Sequence, residues 1–202
     1  SSMNTIRQPA VAGTFYPARG GELHDMLDTL LAAAPSDGLP APKAMIVPHA
    51  GYIYSGPVAA PGYARLQAVA GSIHRVVVMG PSHRVAFHGL AVPDDSIFRT
   101  PLGDISLDTG AIQALLALPQ VHVDNEAHRL EHSIEVHLPF LQEMLESFTL
   151  VPIVVGDATP REVCDAISML WDGPETLLIM SSDLSHYHDY ETATRLDRAT
   201  SH

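Results

Sequence analysis

Four short apolar runs punctuate the chain, at 45–47, 76–79, 150–155 and 177–180, and each stops at a Pro, Gly or Ser. Runs of this kind do not alternate apolar with polar residues, so they read as strands buried on both faces, the pattern of a parallel sheet. The segments between them carry helical spacing. Leu23, Met26, Leu27, Leu30 and Leu31 follow the i, i+3, i+4 rule and stop before the loop Pro35-Ser36-Asp37-Gly38-Leu39-Pro40. Residues 55–68 are expected to form a helix whose Gly56, Ala59, Ala60 and Gly62 permit close packing on the sheet. Asp108 reads as the cap of a helix bearing Ile112, Leu115 and Leu116. Thr159-Pro160-Arg161-Glu162 is a capping box with Pro at the first helical position, and it launches Val163, Ile167 and Leu170. Cys164 shares that apolar face, so burial is its expected role. Residues 89–104 read as an irregular strand and loop excursion, and 190–202 as a last helix with Ala193, Leu196 and Ala199 on one side. Alternation of strand and helix predicts an α/β fold, a mostly parallel sheet with helices on both faces.

Composition narrows the class. With 202 residues, 46% of them hydrophobic, the chain suffices for one sizeable core, expected over residues 3–202, with Ser1-Ser2 before Met3 read as a tag remnant. The formal charge of -12 argues against nucleic acid or an anionic membrane as partner, because both reward clustered Lys and Arg. A small-molecule or peptide ligand is the expected partner. Cys164 is the only cysteine, which excludes an internal disulfide and fits a reducing compartment. There is no leader pattern and no apolar run of membrane-spanning length, so the expected location is cytoplasmic.

The chemistry gathers at the strand ends. In Met45-Ile46-Val47-Pro48-His49-Ala50-Gly51 and Val76-Val77-Val78-Met79-Gly80-Pro81-Ser82-His83, a histidine sits just past each apolar run. Parallel strands would deliver both imidazoles to the carboxyl edge of the sheet, where open α/β folds bind ligands. His49 and His83 are therefore expected at the ends of neighbouring strands, within reach of one ion. The fourth run leads into Ser181-Ser182-Asp183-Leu184-Ser185-His186, where a carboxylate and an imidazole three residues apart suit general acid/base work. Phe15, Tyr52 and Tyr54 are expected to wall the pocket, since one follows a Gly turn and the others follow the His49 loop. Segment 126–140 holds His128, Glu131, His132, Glu135 and His137; on a helix only some can face one site, and a solvated polar face accounts for about half. A nucleophilic triad using Ser82, Ser182 or Ser185 is the weaker rival, because no Gly-x-Ser-x-Gly elbow occurs.

Six segments together resemble the Memo family, whose bacterial members are also called AmmeMemoRadiSam system protein B. They are Arg7-Gln8-Pro9-Ala10-Val11-Ala12-Gly13-Thr14-Phe15-Tyr16-Pro17, Pro48-His49-Ala50-Gly51-Tyr52-Ile53-Tyr54-Ser55-Gly56, Gly80-Pro81-Ser82-His83, Arg99-Thr100-Pro101-Leu102-Gly103, Glu131-His132-Ser133-Ile134-Glu135-Val136-His137-Leu138-Pro139-Phe140 and Ser181-Ser182-Asp183-Leu184-Ser185-His186.

The resemblance implies a fold shared with class III non-haem iron extradiol dioxygenases. It implies His49 and His83 as metal ligands, Asp183 and His186 lining the same pocket, and His186 near the dioxygenases' acid/base histidine. Ser82 and His132 fall in motifs that border the pocket. The family's third ligand is a cysteine in a Cys-Gly motif near the C-terminus; no such motif follows His186, and Cys164 stands in another context. The expectation is that the C-terminal part of the family domain is absent from this chain; the alternative is a carboxylate such as Asp183 in that place. Fe(II) is the expected cofactor, with copper or zinc as alternatives, since two imidazoles and an anionic ligand with open positions suit non-haem iron. A dioxygenase-like oxidoreductase is the first functional reading. A non-catalytic peptide- or ligand-binding adaptor that keeps the pocket is the second, and a metal-assisted hydrolase the third.

Overall fold

The computed structural model describes residues 6–33, 44–47, 63–64, 66, 70–82, 85–129, 131–145, 147–170 and 175–181. In chain order the elements are β1 (Ile6–Arg7), α1 (Gly20–Ala33), β2 (Ala44–Val47), β3 (Arg75–Pro81), β4 (Leu90–Val92), β5 (Ile97–Thr100), β6 (Gly103–Ser106) and α2 (Thr109–Leu115). There follow β7 (Val121–Val123), α3 (Asn125–Arg129), α4 (His132–Glu135), α5 (Leu138–Met144), β8 (Thr149–Val155), α6 (Pro160–Leu170) and β9 (Thr176–Ser181).

The four apolar runs lie side by side in a six-stranded sheet of order β2-β9-β3-β8-β4-β7. β2, β9, β3 and β8 are mutually parallel, as continuous hydrophobicity predicts. Residues 76–80 and 150–155 and all of β9 are buried, so the sheet is covered on both faces there. The predicted excursion at 89–104 is more ordered than its sequence suggests. β4 joins the main sheet antiparallel to β8, and β7 pairs parallel to β4. β5 and β6 form a hairpin that adds to β1 in a separate three-stranded sheet.

The helix signals at Asp108, at Thr159 and along α1 are local and hold. Asp108 caps α2, its Oδ1 accepting the Ala111 N–H at 3.0 Å, and Ala111, Ile112 and Leu115 are buried. Both bonds of the capping box form at α6, Glu162 N–H to Thr159 Oγ1 at 3.2 Å and Thr159 N–H to Glu162 Oε1 at 2.9 Å. Val163, Ile167 and Leu170 face the core, and Cys164 packs half-buried against it. On α1, Leu23 and Leu27 are fully buried, with Met26, Leu30 and Leu31 at the margin. Of the helix expected over 55–68, Tyr63 and Ala64 are helical and Tyr63 and Leu66 are buried; its other residues and the helix expected over 190–202 lie outside the described residues.

Candidate ligand site at the sheet edge

The register fixes what leaves the sheet together. Val47 of β2 lies opposite Ser181 of β9, Met79 of β3 opposite Met180, and Pro81 opposite Val155 of β8. The segments leading to His49, Asp183, His83 and Asp157 therefore depart from one edge. One expectation needs correcting: β2 and β3 are not neighbours, because β9 lies between them. At the usual spacing between strands, the two exits stand roughly 10 Å apart with the end of β9 in the gap. His49, Tyr52, Tyr54, His83, Ser182, Asp183, Ser185 and His186 themselves lie outside the described residues.

Phe15, Ser82 and His132 are described. Helix α4 docks closely on the end of β3. Ser133 Oγ donates to the Pro81 carbonyl at 3.1 Å, and a Cβ placed on Gly80 would meet the Ser133 Cβ at 2.8 Å. Glycine at 80 is thus needed for space. Ser82 N–H donates to Val155 O at 3.0 Å, while its hydroxyl donates to the Val85 carbonyl. That engagement makes Ser82 a turn former. His132, half-buried, stands next to Ser133 at this exit, and its ring lies 4.7 Å from that of Phe15, tilted by 36°. Glu131 supports the helix start, its Oε1 accepting Ser133 N–H at 3.2 Å and lying 3.7 Å from His132 Nδ1. Phe15 and His132 are thus brought together beside the strand exits.

The acidic and histidine-rich stretch is a solvated polar face only at Glu126 and Arg129, which are exposed. His128, Glu131, Glu135 and His137 are all buried. The stretch breaks into α3, α4 and α5, and Pro139 sits in the first turn of α5, where it starts that helix. Glu135 Oε1 takes Arg7 Nη1 and the Ala10 N–H, both at 2.7 Å, while its Oε2 takes Tyr16 OH at 2.6 Å and the Val11 N–H at 3.0 Å. Arg7 also donates to the carbonyls of His128 at 2.7 Å and Glu131 at 3.0 Å and lies over the Phe98 ring. Burial, then the charge of Glu135, raises the Tyr16 pKa, so the phenol keeps its proton and donates. His128 Nε2 donates to Ala91 O at 2.8 Å, and burial pushes its pKa down to about 4. Its ring is neutral. His137 Nδ1 pairs with Tyr63 OH at 3.1 Å, and Tyr63 stacks on Phe140.

A second group of donors lies between two helices. One donor atom from each of His24, Asp28 and Glu143 falls within 4.8 Å of the others. His24 Nε2 lies 3.2 Å from Asp28 Oδ2, and His24 Nδ1 meets Glu143 Oε1. Its pKa is raised, first by the hydrogen bond to Glu143 and then by the charges of Glu143 and Asp28. The His24 and Asp28 spacing was visible in sequence as an i, i+4 pair on α1. Glu143 comes from α5 and required the fold.

Residues 7–201 match a family model described as Memo-like protein. The chain belongs to the Memo family. A "MEMO1 family protein" of Aquifex aeolicus is 37% identical over 196 residues, covering 95% of this chain and 72% of the relative. Those of Ignicoccus hospitalis and Methanocaldococcus jannaschii are 40% and 37% identical, with 73% and 74% of their lengths covered. In this Memo chain several of the six segments have structural roles. The Arg7 segment and the Glu131 segment are the two halves of one buried polar cluster at Glu135. In sequence Glu135 is one of several polar groups in 126–140, and nothing local points to Arg7 and Tyr16 as its partners; a buried acid needs compensation by donors, and both lie in the other motif. Arg99-Thr100-Pro101-Leu102-Gly103 forms the β5 to β6 turn, with Thr100 Oγ1 bonded to Gln142 at 2.5 Å. None of the described helices is long and apolar enough to cross a membrane.

Proposed function

We propose that the chain is a metal-dependent oxidoreductase of the dioxygenase-like kind, with His49 and His83 holding Fe(II) at the sheet edge. The observation that carries this reading is the register: the exits of β2, β9 and β3 open on one edge, and each leads within five residues to a histidine or an acid. Imidazole nitrogens are suitable donors for iron, and copper or zinc would use the same pair. Bound iron would supply a redox-active centre with open positions for dioxygen and an organic substrate. Asp183 is assigned to orient His186, raising its basicity and fixing its tautomer, and His186 to hold or pass a proton without ligating the ion. Phe15, Tyr52 and Tyr54 wall the pocket and exclude water, with Ser82 and His132 at its border. The site takes a small organic ligand in the cytoplasm.

The test is metal analysis of protein purified without chelator or His tag, with oxygen uptake followed on catechol-like compounds. His49→Ala is expected to lose metal and turnover together, whereas His186→Ala keeps metal and loses turnover. Equal metal loss in both variants would make His186 a ligand. Metal without any turnover in the parent would favour the adaptor reading.

A further inference from the structure

We propose that Glu135 is a positioning residue that sets one wall of the sheet-edge pocket, by clamping the N-terminal strap so that Phe15 covers His132. The inference rests on the pocket proposed above only for its functional consequence. Its physical basis is independent of any metal.

The strap runs from β1 through Tyr16 and has little regular structure of its own to hold it. Beyond the two-residue pairing of β1 with β5, its internal bonds are those of the turn at 11–16, among them Phe15 N–H to Val11 O at 2.9 Å and Gly13 N–H to Tyr16 O at 2.6 Å. Val11 and Tyr16 are buried in the core, and the described side-chain hydrogen bonds that tie the turn to α4 converge on one carboxylate. Glu135 is 1% exposed and accepts from donors at 7, 10, 11 and 16, spread along the whole strap. Charge-assisted bonds of this number are strong enough to hold a segment that lacks a sheet. Phe15 lies between the last two of those anchors. Its ring packs on that of His132, which belongs to the same short helix as Glu135. The wall and its clamp are therefore built from one turn of helix and one turn of loop.

An isosteric change exposes the logic. In Glu135→Gln the amide nitrogen must replace one carboxylate oxygen, and it then faces either the Val11 N–H or the Ala10 N–H, donor against donor. Neither flip of the amide restores the clamp. Tyr16→Phe is the milder variant, removing a single donor and leaving Arg7, Ala10 and Val11 in place.

Nuclear magnetic resonance of the full chain reads the result directly, because the Phe15 ring current shields the His132 ring protons. Against the parent, Tyr16→Phe is expected to move the His132 ring signals toward unshielded values, and Glu135→Gln to move them further. Val163→Ala, a core truncation on α6 chosen to lower the melting temperature comparably, is expected to leave them in place. Phe15→Leu gives the fully unshielded reference. With a catechol-like substrate, Tyr16→Phe should raise KM severalfold with kcat nearly unchanged. Unmoved His132 signals in Tyr16→Phe, or equal movement in Val163→Ala, would overturn the positioning role. Absence of metal or turnover in the parent would sink the oxidoreductase reading while the ring-current result still decides the clamp.

Discussion

Gly80→Ala is the sharpest mechanical test of how the sheet edge is built. The added methyl would lie 2.8 Å from Ser133 Cβ and 3.3 Å from the Ser133 carbonyl carbon, and closer still to Ser133 Oγ. Neither side can yield cheaply. Gly80 is held in β3 opposite Val154 of β8, and Ser133 is fully buried with its N–H tied to Glu131. Overpacking of a closed core costs typically about 1–3 kcal/mol, and two pinned backbones place this case in the upper half of that range. For a domain of this size, about 2–3 kcal/mol corresponds to a melting point lower by roughly 5–10 °C.

Urea unfolding of the parent and four variants checks the reasoning. Ser133→Ala alone should cost about 1 kcal/mol, the worth of its bond to Pro81 O, because it relieves no clash in the parent. Ser133→Gly removes both side-chain atoms that the new methyl would strike, so Gly80→Ala/Ser133→Gly should be more stable than the sum of its single changes by about 1–2 kcal/mol. Gly80→Ala within about 0.5 kcal/mol of the parent, or strict additivity in the pair, would refute close docking of α4 on β3.

Two pH-dependent outcomes follow from the histidines. His128 is buried neutral with its pKa near 4, against an ordinary 6.5, so the unfolded chain takes up a proton that the folded one refuses. Stability should therefore fall as pH drops from about 6.5 toward 4, by up to about 3 kcal/mol, and not change from this source above 6.5. In His128→Leu the slope of unfolding free energy against pH over that window should flatten, even though the orphaned Ala91 carbonyl lowers stability at neutral pH; an unchanged slope would refute the assignment. His24 has the opposite sign, its pKa being raised by Glu143 and Asp28, so its contribution is fully present below about 6.5 and disappears as pH rises through the folded value. A proton-resonance titration should give a midpoint above that of an exposed histidine and a lower one in Glu143→Gln, and a midpoint that ignores Glu143 would contradict the contact.

What the sequence disclosed was what local chemistry determines. Thr159 and Glu162 sit three residues apart and cap each other, so the box was readable before any fold was known, as was the Asp108 cap. Unbroken apolar runs announced strands buried on both faces, and their parallel pairing followed. Sheet order was not readable, because nothing in residues 44–47 or 75–81 states that β9, more than a hundred residues beyond β2, inserts between them. The burial of Glu135 was hidden for the same reason. Its donors Arg7 and Tyr16 are separated from it by 128 and 119 residues, and a carboxylate reads as solvated until its partners are in place. The three-stranded sheet was missed because β1 spans only Ile6–Arg7 and pairs in parallel with a strand far along the chain.

The order β2-β9-β3 bears on which residues can share a site. Were β2 and β3 adjacent, His49 and His83 would rise side by side and Asp183 would stand on a flank. With β9 between them, an ion shared by the two histidines, as proposed, would lie over the exit of β9, whose last described residue is Ser181. The chain that continues from Ser181 reaches Asp183 in two residues and His186 in five. In the proposed site the acid and the third histidine would then fall toward its middle. Helix α4 closes the β3 side through Ser133 on Pro81, and the clamped strap brings Phe15 over His132 at the same place. One side of the pocket is thus held by buried groups with defined partners. On the proposed reading the chemistry falls to residues just past strands whose exits the sheet holds in register, so loss of any one histidine should alter the site without unfolding the domain.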